Sequence, residues 1–485
     1  MPVTEMIVSY NREYHMRRRS ITMAKLTVTN PMTNEVLDEL VLAEANDVQE
    51  MVDKALAAQE NWANTPVHER AAYLYKMADA MEADQESIAQ LMALDMAKPI
   101  LQARVEAEDG IKLLRAAAER AKHLYGEVLS DSGPGFEGDL VFTKREPLGT
   151  IACIIPFNYP TELTFQKVAP ALVMGNTVLV KAPSSNPLVV MSFDKYAKEA
   201  GFPEGVVQFF VAGRDAVNEK IISNPQIDAI SLTGSTAAGK QMVKMGADTL
   251  KRMFLELGGN DALVIFDDTD LDKVLDEMVA ARMENNGQVC CSTKRFVVQS
   301  GIYDAVCEGI AARLNALKRG PATEEDADVT CLVNEQAAIT VEGQIQKTIE
   351  QGARLVTGGT RTGARIEPTV LADVTKDMDI ASDMEVFGPV FPLIRFETEE
   401  EGIAIANNSI YGLSSGVMTS DMNRAFRVAS KLKAGGTVVN GTGLYRHLDQ
   451  PFGGYKQSGL GREGISISLE EFSHIKVYVV KGAFK

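Results

Sequence analysis

The chain has 485 residues, which at about 150 residues per domain predicts roughly three domains and ample length for a large core. With 45% apolar and 24% charged residues it has an ordinary globular composition, and its net charge is −17. That acidity excludes generic nucleic-acid binding and opposes docking on an anionic membrane. No apolar run has transmembrane length, and none of signal-peptide length follows Arg17, Arg18 and Arg19.

Residues 1–23 show neither clean helical nor strand periodicity and read as a disordered or added extension, with Met23 as an alternative start. Apolar residues at helical spacing then predict helices near 44–61, 67–95 and 100–124. The Gly- and Ser-rich run at 130–135 predicts a turn into a projecting strand or hairpin over 139–145. After Pro147, β-branched runs at 150–155, 177–181, 206–211 and 227–232 are each followed by an amphipathic stretch. This alternation predicts βαβ units and a parallel sheet with helices on both faces. A second alternating section follows Glu256, with strands at 262–266, 295–298, 354–357, 390–395 and 436–440. The last run, 474–480, has no partner close in sequence, and with 130–145 it is expected to pair with another subunit. The fold class is α/β, with two lobes and a small accessory element.

Five cysteines, at 153, 290, 291, 307 and 331, make no disulfide framework in so long a chain, so a reduced, cytoplasmic protein is expected. No CxxC pair is present and the five His are scattered, so no metal site is assigned. Cys290 follows Asn286-Gly287-Gln288-Val289, a tight loop suited to presenting a thiol, although a buried cysteine is more often inert packing. Glu256 lies between two leucines, where desolvation raises a carboxyl toward general-base duty. A strand-end carboxylate meeting solvent at Gly258-Gly259 is the equal alternative. Asn158, between Pro156 and Pro160, can donate its amide to a developing oxyanion or simply form a turn. Lys181 ends a strand within reach of a ribose or phosphate. Gly234 and Ser235 open a helix whose N–H groups suit a pyrophosphate, or Ser235 is a plain cap; the segment is not a GxGxxG fingerprint.

Together, in this order and spacing, these motifs resemble the aldehyde dehydrogenase superfamily from about residue 24 to 485. Glu385-Val-Phe-Gly-Pro389, Asn440 and Pro451-Phe-Gly-Gly-Tyr-Lys-Gln-Ser-Gly459 add to the match. The look is nearest to the lactaldehyde, non-phosphorylating glyceraldehyde-3-phosphate and semialdehyde types. The resemblance implies a doubly wound cofactor domain (24–127 and 147–256), an α/β catalytic domain (257–465) and a small β oligomerisation element (128–146 and 466–485). It also implies a homodimer or homotetramer. Cys290 would attack the aldehyde, Asn158 and the Cys290 amide would hold the oxyanion, and Glu256 would activate water against the thioester. Cys291 has no role in the motif and reads as packing. Lys181 would hold the adenosine ribose, and Gly234 with Ser235 the pyrophosphate. Glu385 would bind the nicotinamide ribose, Phe387 would pack on the nicotinamide, and Ile155 and Phe157 would offer backbone groups.

Three departures are informative. NAD-preferring members place a Glu three residues after the lysine, where this chain has Ser184; a hydroxyl there suits a 2′-phosphate, so NADP is favoured over NAD. Members acting on succinic semialdehyde or lactaldehyde carry an arginine where this chain has Gln166, and another where it has Glu284. Both weaken a succinic semialdehyde assignment. In the loop Gly443–His447, Arg446 is the candidate anchor for a carboxylate, phosphate or sulfonate, flanked by Tyr445 and His447. The expected substrate is a small polar or anionic aldehyde, oxidised to its acid without metal, membrane or nucleic-acid partners. The alternatives are a coenzyme A-acylating enzyme, which would tend to lack Glu256, and a non-catalytic binding or structural relative, which would have a broken site.

Overall fold

The computed structural model describes residues 24–129 and 133–484. The extension at 1–23 and the start of the 130–135 turn lie outside the described residues. The described residues begin with an antiparallel hairpin, Lys25–Thr29 against Val36–Val41, that hydrophobic periodicity did not reveal. Its turn is made by side-chain chemistry: Asn30 Oδ1 accepts from the backbone N–H groups of Met32 (2.8 Å) and Thr33 (3.3 Å).

Four helices follow, at Ala45–Asn64, Val67–Ala83, Gln85–Met96 and Ile100–Ala121. The single helical stretch expected over 67–95 is broken at Asp84, whose carboxylate is drawn to Lys195 Nζ and Tyr196 OH, each at 2.9 Å. The third helix stops at Ala97, in the left-handed region, before Lys98-Pro99 starts the fourth.

A six-stranded sheet has the order 459–460, 252–256, 229–233, 150–154, 177–181, 207–210, and all but the first strand are parallel. Alternate residues enter different cores. Ile151, Cys153, Val178 and Val180 join one cluster, while Ala152, Ile154, Leu179 and Ile230 join the other. The chain starts in the middle at Thr150–Ile154, runs outward to 207–210, and returns to the other side of the first strand. The crevice between the ends of Ile154 and Thr233 is therefore the switch point where such sheets take ligands.

A seven-stranded sheet has the order 354–357, 369–374, 390–396, 293–299, 261–265, 414–418, 436–439. Its strands are parallel except Arg354–Thr357, which the sequence pattern counted with the rest and which pairs antiparallel at the edge with Thr369–Val374. Strands Thr369–Val374 and Ser414–Met418 were not foreseen, and Arg252–Glu256 was foreseen only in the strand-end alternative for Glu256. The strand expected to await another subunit, Ser473–Val480, pairs antiparallel within the chain along all of Leu140–Pro147. The Phe142 and Tyr478 rings stack across that pair at 4.9 Å. One face of this small sheet still exposes Ile475, Val477 and Val479.

Candidate active site

The site forms where the C-terminal ends of the first sheet meet the N-terminal ends of the second. Glu256 closes its strand in the first sheet, and the Cys290 loop leads into the strand Thr293–Gln299 of the second. Asn285, Asn286 and Gly287 are all left-handed, with φ of 47°, 52° and 77°, which doubles the chain back sharply ahead of the thiol. Gly287 runs so close to the next loop that a Cβ would strike the Gly388 carbonyl.

Arg282, fully buried, ties these loops together. Its guanidinium donates to the carbonyls of Val386 (2.6 Å), Val390 (2.9 Å) and Gly287 (3.3 Å) and to Ser292 Oγ (3.2 Å). Lys294 does the same from the other side, donating to the carbonyls of Val289 (2.9 Å) and Cys290 (2.5 Å), with Glu385 at 3.4 Å. Neither residue was singled out in the sequence, although a Lys-Arg pair inside a wholly buried strand was a signal.

Cys290 packs against a buried cluster of Val289, Cys291, Leu413 and Phe452, which Tyr159 and Leu444 also flank. The adjacent Cys291 thiol and burial raise its pKa well above the usual cysteine range, while Lys294 and Arg446 oppose the rise. Asn158 is 3% exposed, and its Nδ2 donates to the Gln288 carbonyl at 3.0 Å, which orients the amide toward the nucleophile loop. That leaves the second amide hydrogen for a ligand.

Glu256 is 4% exposed and its Oε2 has no hydrogen-bond partner. Burial, then the Glu463 carboxylate, push its pKa well above the ordinary range, with Lys167 pulling the other way. The buried Lys167–Glu463 ion pair beside it was missed in the sequence. A lysine inside the buried helix Glu162–Val173 was the available clue. Gly453 lets the chain pass where a Cβ would lie 2.7 Å from Glu256 Oε1.

The expected cofactor residues gather at the switch point. The Ile155 N–H donates to the Lys181 carbonyl (3.1 Å), and Gly234 N–H to the Glu256 carbonyl (3.0 Å). Burial lowers the pKa of Lys181. Ser235 caps the helix Thr236–Gly246 through Ala238 N–H at 3.3 Å, and Thr233 Oγ1 is buried without a partner. Glu385 accepts from Gly259 N–H at 3.0 Å, and the Phe387 ring lies edge-on to Phe157 at 5.9 Å. Ser184 is exposed.

Of the expected substrate residues, Arg446 turns inward. Its guanidinium stacks 3.7 Å over Phe452, with Glu162 at 3.7 Å, Glu463 at 3.9 Å and Nη1 buried without a partner. Gln166 is 3% exposed, with Nε2 also unpartnered. Burial raises Glu162 to about 7. Glu284 is occupied by the Tyr159 hydroxyl at 3.0 Å. Tyr445 and His447 instead line an outer groove of about 1090 Å³ that backs onto Leu413, Phe452 and Gly453. Among the described residues, no group of three or more His, Cys, Asp or Glu is placed to hold a metal ion, and no helix is long and apolar enough to cross a membrane.

The sequence profile of the aldehyde dehydrogenase family matches residues 18–478. The chain belongs to the aldehyde dehydrogenase family. It is 34% identical over 455 residues to the NADP(+) succinate-semialdehyde dehydrogenase GabD of Escherichia coli K12, covering 93% of each chain. To the 3-sulfolactaldehyde dehydrogenase of Pseudomonas putida it is 35% identical over 458 residues, covering 94% of this chain and 93% of that one. Among solved structures, the glyceraldehyde-3-phosphate dehydrogenase GapN of Methanocaldococcus jannaschii, complexed with NADP, superposes with a TM-score of 0.91. It is 34% identical and covers 95% of this chain and 100% of its own. As an aldehyde dehydrogenase, the chain is an α/β oxidoreductase built on two largely parallel sheets.

Gly287→Ala places a side chain in a left-handed position against the Gly388 backbone. It is expected to destabilise the fold by about 2 kcal/mol or more and to misplace Cys290. Urea denaturation and active-site titration of Cys290 check this; wild-type values in both would mean the loop approach is not what fixes the thiol.

Proposed function

We propose that this enzyme oxidises a small aldehyde bearing a distal anion to its carboxylic acid, with NADP+ as hydride acceptor and a covalent thioester on Cys290. The observation that carries the reading is Glu256, a nearly dry carboxyl group with one unpaired oxygen, close enough to Cys290 for the cysteine to raise its pKa. Coenzyme A acylation needs no such base, so hydrolysis is favoured.

The residues fit the dinucleotide. The unpartnered Thr233 hydroxyl, the Ser235 helix terminus and Lys181 line the switch point, with Glu385 and Phe387 facing them across the seam. Exposed Ser184 sets no carboxylate against a 2′-phosphate. Bound there, NADP+ supplies the acceptor for the hydride.

The chain's own part runs as follows. Cys290 gives up its proton to bulk water, and its sulfur adds to the aldehyde carbon; the proton that Glu256 later takes from water is the one that restores the thiol. The negative oxygen so formed accepts from the free Asn158 amide hydrogen and the Cys290 N–H. Loss of hydride from that carbon leaves a thioester. Glu256, as carboxylate, takes a proton from water while the water oxygen bonds the acyl carbon. The C–S bond then breaks, the acid leaves and the thiol is restored.

The buried, unpartnered donors Arg446 Nη1 and Gln166 Nε2 support a distal anion on the substrate. So do the relatives, whose names include a sulfonated aldehyde and a semialdehyde. The two large sheets and the small one support domain limits at 24–127 with 147–256, 257–465 and 128–146 with 466–485, although Gly459–Leu460, inside 257–465, pairs in the first sheet. Exposed Ile475, Val477 and Val479 support docking to a second copy, in a homodimer or homotetramer. Five free cysteines support a cytoplasmic setting.

Wild-type enzyme is expected to reduce NADP+ with succinic semialdehyde, glyceraldehyde-3-phosphate or a sulfonated aldehyde in preference to the uncharged lactaldehyde, and Cys290→Ala to be silent with all of them. Turnover by Cys290→Ala, followed by reduced-cofactor absorbance, would remove the thioester route. Because Glu256 works only as carboxylate and burial raises its pKa, hydrolysis is expected to climb with pH on a limb well above the ordinary Glu value of about 4.3. Glu256→Gln should give one fast turnover and then a rate roughly 100-fold lower or less, in line with the usual worth of a general base; unchanged steady-state turnover would point to another base. Ser184→Glu should move the ratio of kcat/KM values toward NAD, about tenfold or more for a charge set against the 2′-phosphate. An unmoved ratio would detach Ser184 from cofactor choice.

A further inference from the structure

Lys98 carries a fully buried ammonium in the link between the helices Gln85–Met96 and Ile100–Ala121. Desolvating such a charge is costly, and three groups compensate it. Lys98 pairs with the buried Glu106 carboxylate, donates to the Asn158 carbonyl at 2.8 Å, and lies 3.6 Å from the centre of the Tyr159 ring. Glu106 Oε1 accepts from the N–H groups of Thr161 (2.8 Å) and Glu162 (3.3 Å), the start of the helix that carries Gln166 and Lys167. The Asn158 carbonyl takes a second hydrogen bond from Asn285 Nδ2 at 3.0 Å, in the loop that turns toward Cys290.

One lysine–glutamate pair thus holds the peptide of Asn158, the start of the neighbouring helix and the spacing to the nucleophile loop. Stability alone gives no reason for it, because a buried ion pair can often be replaced by apolar residues of similar volume at no cost. Geometry does. Without the pair, the Asn158 carbonyl keeps one donor instead of two, and the N–H groups at the helix start lose a charged acceptor.

We propose that Lys98 and Glu106 are positioning residues, which aim the Asn158 amide at the oxygen of the carbonyl that Cys290 attacks. The proposal rests on Asn158 being the oxyanion donor, and its test separates the two. Acylation by p-nitrophenyl acetate without cofactor serves as the probe. The Cys290 sulfur bonds the acetyl carbon, the bond to the nitrophenyl oxygen breaks, and one nitrophenolate appears per competent site. Amplitude counts folded sites, and rate reads oxyanion stabilisation.

Asn158→Ala is expected to slow this step by about 100-fold or more. Lys98→Met/Glu106→Gln should keep the amplitude and the NADP+ affinity by calorimetry, yet slow the step by about 10- to 100-fold. Adding Asn158→Ala to that pair should cost little more than Asn158→Ala alone, since the pair acts through Asn158. A wild-type rate in the double variant, full additivity, or reduced amplitude at an unchanged rate would each overturn the proposal while leaving Asn158 in place. A wild-type rate in Asn158→Ala would instead remove Asn158 from the oxyanion site, and the positioning role with it. If the double variant does not fold, Lys98→Arg, which keeps the charge but displaces the donor, carries the same expectation.

Discussion

The chemistry proposed for this protein depends on keeping one carboxyl group dry and only loosely compensated. Glu256 has no partner on Oε2, and water is kept from it by a seam between two sheets that point opposite ends of their strands at each other. Burial of this kind destabilises a carboxylate, and a site that must use that carboxylate has to restrain the penalty without abolishing it. Lys167 does this by favouring ionisation of Glu256, while its ion-pair partner Glu463 adds to the penalty. The closeness of Gly453 completes the enclosure, since any side chain there would displace the carboxyl group.

The same seam sets how the site would meet the proposed anionic group. Arg446 is shared between Glu162 and Glu463 at long range rather than locked to either, and one nitrogen remains unsatisfied. A tightly paired arginine would have to break an ion pair to bind a substrate. Burial of Glu162 toward a pKa of about 7 weakens the competing negative charge further. Gln166, placed where an arginine was looked for, adds a neutral donor, so the positive charge facing a distal group comes from the loop and not from the helix.

What the sequence made legible was short-range and patterned. The alternation of β-branched and amphipathic runs announced both parallel sheets, and the motifs around Asn158, Glu256, Cys290 and Glu385 are all found at one seam. The residues that went unseen act across long separations. Lys98 with Asn158, Lys167 with Glu463, and Arg282 with Val386 and Val390 are contacts no local spacing encodes. Helix limits slipped where tertiary bonds outweighed propensity, as at Asp84, and the hairpin over 25–41 slipped because a side chain of Asn30 makes its turn. The strand Ser473–Val480 looked solitary because its partner lies more than 300 residues earlier in the chain.

That long return has a consequence for biosynthesis. The strand ending in Glu256 is flanked on its outer edge by Gly459–Leu460, and Glu463 follows directly after. A ribosome has therefore made Cys290 well before it makes the segment that encloses the base. During translation the nascent chain carries a thiol but not the finished catalytic enclosure, and the long-range contacts that complete it can form only late. On the proposed mechanism, competence to turn over aldehyde is thus acquired only once residue 463 has been made, so incomplete chains ending before residue 459 lack both the strand that flanks Glu256 and the carboxylate that tunes it.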